Sequence, residues 1–441
     1  MKPRIQLAAL AVITVAGLAP ATALSPALAS RFTATAASPV PLWVTHQFVK
    51  RGGASLAVAP SPDGSAVFVA GEVDRPRRPG SQATVTALNP TTGATLWQTS
   101  YTASPNSGFS YIAVSPDGSE VFAAAAAEPA GGGPFNELLV AFNAATGAIL
   151  WSAGAGVDSP ADGLSVSPDG SAVFTTGSAG TIAYDAATGA TLWTAAGGQS
   201  LTAAPDGSAV YVVGAAPVGT STRTAYLTTA YNAATGATMW ASRFNVPKGS
   251  SGADAVTARG TAVYVTGSTT AAGQRSHVGT VAYDAATGIR LWARIVNVPS
   301  LSFAIAASPD GSTVYVLNSA FPSAGGAAYA TEAYATATGD LRWTAHYQGP
   351  VAGSFTLPED LAVSPDGARV YVTGFSPAAA GQDQFATVAY DAATGATAWV
   401  ARYGHPAKNS SAYGVAVSPD SSKVYVTGDT IPYGTTIGYG A

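Results

Sequence analysis

The sequence predicts an all-β fold, an eight-bladed β-propeller of four-stranded antiparallel blades, and three observations carry that prediction. A unit of the form Ala-x-[Asp/Asn/Ala]-x-x-Thr-Gly-x-x-x-Trp occurs seven times, most regularly as Ala183–Trp193, Ala282–Trp292 and Ala389–Trp399. The eight Trp residues of the whole chain (Trp43, Trp97, Trp151, Trp193, Trp240, Trp292, Trp343 and Trp399) fall one to a repeat, about 51 residues apart on average. The chain ends are also out of phase with the repeat. The last repeat stops after its third strand, Thr435–Gly440, while a strand around Trp43 stands alone at the other end. Pairing these two would close the ring and remove two open sheet edges.

In chain order, residues 1–29 read as a secretory signal. Lys2 and Arg4 precede an apolar run, Ile5 to Leu18, and Ala27-Leu28-Ala29 supplies a small-residue cleavage site. That run is shorter than the roughly 20 residues a membrane helix needs, and nothing later is apolar enough to span a bilayer. A spacer, 30–40, leads into the propeller, 41–441. First strands precede turns at Asp63, Asp117, Asp169, Asp206, Arg259, Asp310, Asp366 and Asp420. Second strands, such as Val67–Gly71 (VFVAG) and Val370–Gly374 (VYVTG), alternate β-branched and aromatic residues as a half-buried sheet requires. Third strands run into the Ala-Ala-Thr-Gly turns, and fourth strands carry the Trp.

Both recurrent turns have a local mechanism. In Ser-Pro-Asp-Gly, Pro presets φ and Gly accepts a positive φ, which suits a tight hairpin. In Asp-Ala-Ala-Thr-Gly the leading side chain can accept from the amides just ahead. That position is Asp at 185, 284 and 391, Asn at 89, 143 and 232, and Ala at 335. Asn serving as well as Asp marks a hydrogen-bonding role, so these carboxylates are read as structural.

Composition narrows the function classes. Charged residues make up 10% of the chain, against roughly 25% in an average soluble domain. The formal charge is −4, becoming −6 once Lys2 and Arg4 are removed, which argues against a nucleic-acid partner. With no Cys there is no disulfide, no thiolate chemistry and no lipid-acceptor thiol. A secreted or wall-retained monomer is expected.

The Trp-ending repeat resembles the tryptophan-docking motif of the pyrroloquinoline-quinone (PQQ) dehydrogenase propellers and their non-catalytic relatives. The second strands are similar to those of YVTN-type propellers of secreted and surface-layer proteins. The likeness covers residues 41–441 and implies that Ala183, Asp185, Thr188, Gly189 and Trp193, with their counterparts, lock neighbouring blades together. Three departures stand out. The adjacent Cys pair under which the quinoprotein dehydrogenases hold PQQ is missing, as are a matching Glu/Asn/Asp cluster and a haem-attachment motif. The resemblance therefore implies scaffold relatives more than enzymes.

The recurrent turns belong on one face of such a ring. The loops that vary, including Glu72–Ser81, Ser268–His277 and Gln348–Leu357, belong on the other, where binding is expected. Asp162, Asp254 and Asp360 begin first strands at the channel mouth on that face, with Glu359 beside the last. They are candidates for a calcium site or an acid/base pair. Because they sit in every second blade, Asp162 and Asp360 are expected to oppose each other across the ring, and a solvated rim is the plainer reading. Arg75, Arg77 and Arg78 form a basic loop suited to an anion or a wall polymer. The four His residues show no metal-ligand spacing, and no Gly-x-Ser-x-Gly elbow is present. The leading expectation is a non-catalytic scaffold that binds a protein or cell-envelope polymer and needs no cofactor. The alternative is a PQQ- or calcium-dependent oxidoreductase, or a lactonase-like hydrolase, with its site at the channel mouth. A spacer that binds nothing is the third reading.

Overall fold

The structure is a computed structural model that describes residues 38–441, apart from 48–51, 76–79, 103–106, 128–135, 155–160, 179, 247–248, 272–274, 322–324 and 379–380. The expected signal, 1–29, and spacer residues 30–37 lie outside the described residues. The described residues form 32 strands in eight four-stranded antiparallel sheets. Blades 1 to 7 span Gly53–Tyr101, Ser107–Ala153, Gly163–Ala195, Ser200–Phe244, Ser250–Ile295, Ser300–Tyr347 and Leu357–Tyr403. Within each of these, strands pair in sequence order, and the first strands of successive blades pack against one another around the centre. Blade 8 is composite, with Ser410–Val417, Lys423–Thr430 and Tyr433–Gly440 completed by Trp43–Gln47 from the other end of the chain. Trp43 pairs with Gly438 and Gln47 with Gly434, so the expected closure is present.

The indoles explain why the repeat reads as it does. Each packs on the second-strand aromatic of its own blade, from Phe68 under Trp97 to Tyr425 under Trp43, with ring centroids 5.7–6.0 Å apart. Seven indole N–H groups donate to a main-chain carbonyl in the third-to-fourth turn of the following blade. Trp97 donates to Ala144 at 2.9 Å, Trp193 to Ala233 at 2.8 Å, and Trp43 closes the circle on Pro90 at 3.1 Å. Trp399 faces blade 8, whose chain ends where this turn would begin, and packs on Tyr439 at 5.9 Å.

The turn Gly lies flat against the same indole. Gly236 has φ +71°, and a Cβ there would sit 2.7 Å from the Trp193 ring. The turn needs Gly twice over, for its left-handed backbone and for the room the indole takes. In six of these turns the leading Asp or Asn accepts from the Thr main chain, as Asp185 does from Thr188 at 2.9 Å; in blade 6 Ala335 stands there.

Gly236→Ala is expected to lower the unfolding free energy by about 2–5 kcal/mol, combining left-handed strain with a clash against Trp193. Gly219→Ala (φ +59°, with nothing within 4 Å of a Cβ) should lose only the strain, about 1–2 kcal/mol. Urea denaturation of both variants separates the terms. Equal losses would show that the indole contact contributes nothing.

Candidate functional site

The two faces differ in how their polar groups are used. Antiparallel pairing puts the first-to-second and third-to-fourth turns at one end of every blade. There the Ser-Pro-Asp-Gly aspartates are consumed locally. Asp63 accepts from the Ser61 hydroxyl at 2.6 Å and the Ser65 amide at 3.0 Å, and the Ser61 hydroxyl in turn accepts from the Ala66 amide at 3.0 Å. The hydroxyl bond is the main cause holding the Asp63 carboxyl down at about 2. Asp117, Asp169, Asp310, Asp366 and Asp420 repeat the circuit, and Asp206 keeps the part made by Ser208. In blade 8 Ser421 replaces the Gly and takes φ +58° itself. The recurrent face therefore offers a ligand little that its own turns have not engaged.

At the channel, the first strand carries a one-residue bulge in blades 1, 2, 5, 6, 7 and 8, opposite the end of the second strand. In blades 3 and 4 the same register holds, because Asp162 and Gln199 donate their amides to Thr176 and Val213 just before those strands begin. One residue per blade thus stands at an equivalent level, in order Leu56, Ser110, Asp162, Gln199, Asp254, Phe303, Glu359 and Tyr413. This corrects one expectation. The residue opposite Asp162 in the ring is Glu359, not Asp360. Asp360 follows the bulge and turns into blade 8, where its carboxylate accepts the Val415 amide at 2.9 Å while also accepting the Leu361 amide at 2.8 Å.

The ring acids do not converge. Asp254 lies beside the Tyr226 phenol of the preceding blade and accepts from Ser268 at 3.3 Å. Glu359 likewise lies near Tyr329, and Asp162 near Tyr111. Burial pushes Asp254 and Asp360 up to about 6. Burial, with the Asp360 charge next to it, pushes Glu359 up to about 7, and burial also raises Asp162. Among the described residues no group of three or more His, Cys, Asp or Glu is placed to hold a metal ion. Arg75 donates its amide to Gly80 at 2.9 Å, while Arg77 and Arg78 lie outside the described residues.

Two buried acids escaped the sequence reading. Glu137 accepts from Thr175 at 2.5 Å and Tyr184 at 3.2 Å, tying blade 2 to blade 3, and Glu332 accepts from Tyr334 at 2.6 Å. Burial raises both carboxyls. The available signal was a Glu inside an otherwise apolar third strand, as in Asn136-Glu137-Leu138-Leu139.

Comparison with known proteins bears on this scaffold. The family model described as outer membrane protein assembly factor BamB matches residues 135–278 and again 274–438, more than half of the chain. No curated protein matches the sequence. Among solved structures, BamB from Moraxella catarrhalis is 16% identical over 90% of this chain and 97% of its own, with a TM-score of 0.52. Quinohemoprotein alcohol dehydrogenase ADHIIG from Pseudomonas putida HK5 is 14% identical over 91% and 76%, at 0.57. The C-terminal WD40 domain of Sif2 is 12% identical over 90% and 99%, at 0.58. Likeness at such identities speaks for the fold alone. Among the described residues no helix is long and apolar enough to cross a membrane.

The raised carboxyls fix a pH dependence. A folded pKa of about 7 for Glu359, against an ordinary value of 4.5, means the folded chain holds a proton that the unfolded chain releases in between. Stability should therefore be greatest below about pH 4.5 for this group and fall as pH rises to 7, by at most about 1.4 kcal/mol per pH unit. Glu359→Gln should flatten that part of a stability profile measured by urea unfolding. An unchanged slope would show that Glu359 titrates normally.

Proposed function

Because this chain belongs to the family described as outer membrane protein assembly factor BamB, we propose that it is a secreted, non-catalytic scaffold that holds a protein or a cell-envelope polymer on its variable face. The observation that carries this reading is the contrast between the faces. Recurrent residues are used up in turns and blade docking, as with Asp63 and Trp97, while length and chemistry vary most at the opposite ends of the blades. A rigid ring presenting variable loops is suited to recognition, and its rigidity keeps the entropy lost on binding small. The ring is read as a working monomer, since Trp43–Gln47 fills in blade 8 the place that the Trp strand fills in every other blade, so no strand from a second copy is needed.

A PQQ cofactor does not suit this donor set. PQQ is an anionic quinone, and the eight ring positions at the channel hold Asp162, Asp254 and Glu359 with no basic side chain among them. Among the described residues no three of these carboxyls are placed to hold one ion, as calcium ligands at about 2.3–2.6 Å would have to be. No catalytic step follows from such an arrangement.

Two outcomes are expected. A variant with the residues between strands in Glu72–Ser81, Ser268–His277 and Gln348–Leu357, namely 75–80, 271–275 and 348–355, replaced by Gly/Ser sequence should lose at least about tenfold in retention on envelope fractions, a loss of about 1.4 kcal/mol, while its circular dichroism stays that of the parent. Equal retention of both forms would remove the proposal. Millimolar calcium, with or without PQQ, should leave the melting temperature unchanged, since a ligand of the native state must raise it. A rise abolished by Asp162→Ala would favour the enzyme instead.

A further inference from the structure

Blade 3 is the short blade, and its shortness opens a site. Trp151 and Trp193 are 42 residues apart, the smallest such interval in the chain. The second and third strands of blade 3, Ala172–Gly177 and Gly180–Asp185, have six residues each, whereas those of blade 4, Ala209–Pro217 and Thr224–Asn232, have nine. The first strand of blade 4 has only four residues and begins at Ser200, opposite Val213. Gly214–Pro217 therefore pairs with the third strand alone and has no strand of its own blade on the channel side. The connection between the blades must cross close to both. A Cβ on Gly197 would collide with the Gly177 carbonyl, and one on Gly198 with the Val213 carbonyl, so both positions need Gly.

What remains is a cleft of about 370 Å³ between blades 3 and 4 on the variable face. That is at the small end of ligand sites, which run to roughly 300–1,000 Å³. Val212, Leu227 and Tyr231 supply an apolar wall, Gln199 and Thr229 supply neutral acceptors, and Asp162 is the one charged side chain lining it. Burial already raises the Asp162 carboxyl, and a cation beside it would relieve that desolvation. A single carboxylate with scattered neutral acceptors matches the three separate donors of an ammonium better than the planar fork of a guanidinium.

We infer that this cleft binds a primary ammonium group carried on a short aliphatic chain, with Asp162 as its counter-charge and Val212 and Leu227 against its methylenes. The inference rests on the variable face being the binding face and names the chemistry it would recognise there. A free alkylamine and a lysyl side chain of a partner share that chemistry.

The test is isothermal titration of the full chain with n-butylammonium, with Nα-acetyl-lysine amide and with neutral n-pentanol. Both amines should bind, with n-pentanol at least about tenfold weaker, and Asp162→Asn should weaken the amines at least about tenfold, as expected for a lost charge-assisted bond. Leu227→Trp, enlarging a side chain on the face of blade 4 that lines the cleft, should block both amines, while Asp254→Asn, outside the cleft, should leave them unchanged. Tighter binding of the lysine amide than of butylammonium assigns the site to a peptide partner, and equal binding to free amines. No amine binding, equal binding of n-pentanol, or wild-type affinity in Asp162→Asn would overturn the inference. Envelope retention is read separately. If it persists while amines fail to bind, the scaffold reading stands and only the cleft assignment falls.

Discussion

The contact on which this ring depends is an indole lying over a glycine of the next blade and donating to a carbonyl in the same turn, as Trp97 does with Gly147 and Ala144. A tryptophan of this kind buries roughly 150–250 Å², or about 4–6 kcal/mol of gross hydrophobic stabilisation at the usual coefficient. The directional N–H bond then fixes the position of each blade relative to its neighbour. Most of the repeat's regularity follows from that one geometry. Gly removes a Cβ from the path of the ring, the leading Asp or Asn holds the turn so that its carbonyl faces the indole, and a Phe or Tyr in the second strand supports the other side. Thr45, Thr99 and Ser242, two residues after their Trp, add a hydroxyl bond to the carbonyl of the same Gly.

The same contact explains why the two ends of the chain must meet. The strand Trp43–Gln47 completes the last blade, and Trp43 docks on Gly93 and Pro90 of the first. Gly438 lies directly beneath it, where a Cβ would come within 2.5 Å of the indole. Without that strand, the indole dock between blades 8 and 1 would be lost and Tyr433–Gly440 would become the outer edge of a three-stranded blade. Closure thus joins the most distant parts of the sequence by the least local contact in the fold.

The proposed binding features, by contrast, lie where the repeat breaks its own rule. The acids at the channel occupy a bulge position that other blades fill with Leu56, Ser110, Phe303 or Tyr413, so nothing in the scaffold requires a charge there. The cleft beside Asp162 exists because blade 3 is truncated on the variable side while its docking side, with Trp193 and Gly189, is kept whole. A propeller can shorten a blade in this way because docking and variation lie at opposite ends of each sheet.

The sequence by itself determined the blade count, the strand order, the closing strand, both turn types and the docking role of the indoles. These follow from local spacing and from side chains whose partners recur at a fixed period, so each copy confirms the others. It also determined that Asp185 and its counterparts are turn residues, since Asn89 and Asn232 serve equally. Only the tertiary structure decided that Glu359 rather than Asp360 joins the channel ring, because a one-residue bulge exchanges neighbouring side chains and leaves no periodic mark. The burial of Glu137 against Thr175 and Tyr184 was decided there as well, as was the cleft at Asp162. Each of these depends on how two blades approach one another across space, and a short interval between tryptophans shows that residues are missing without showing what the gap encloses.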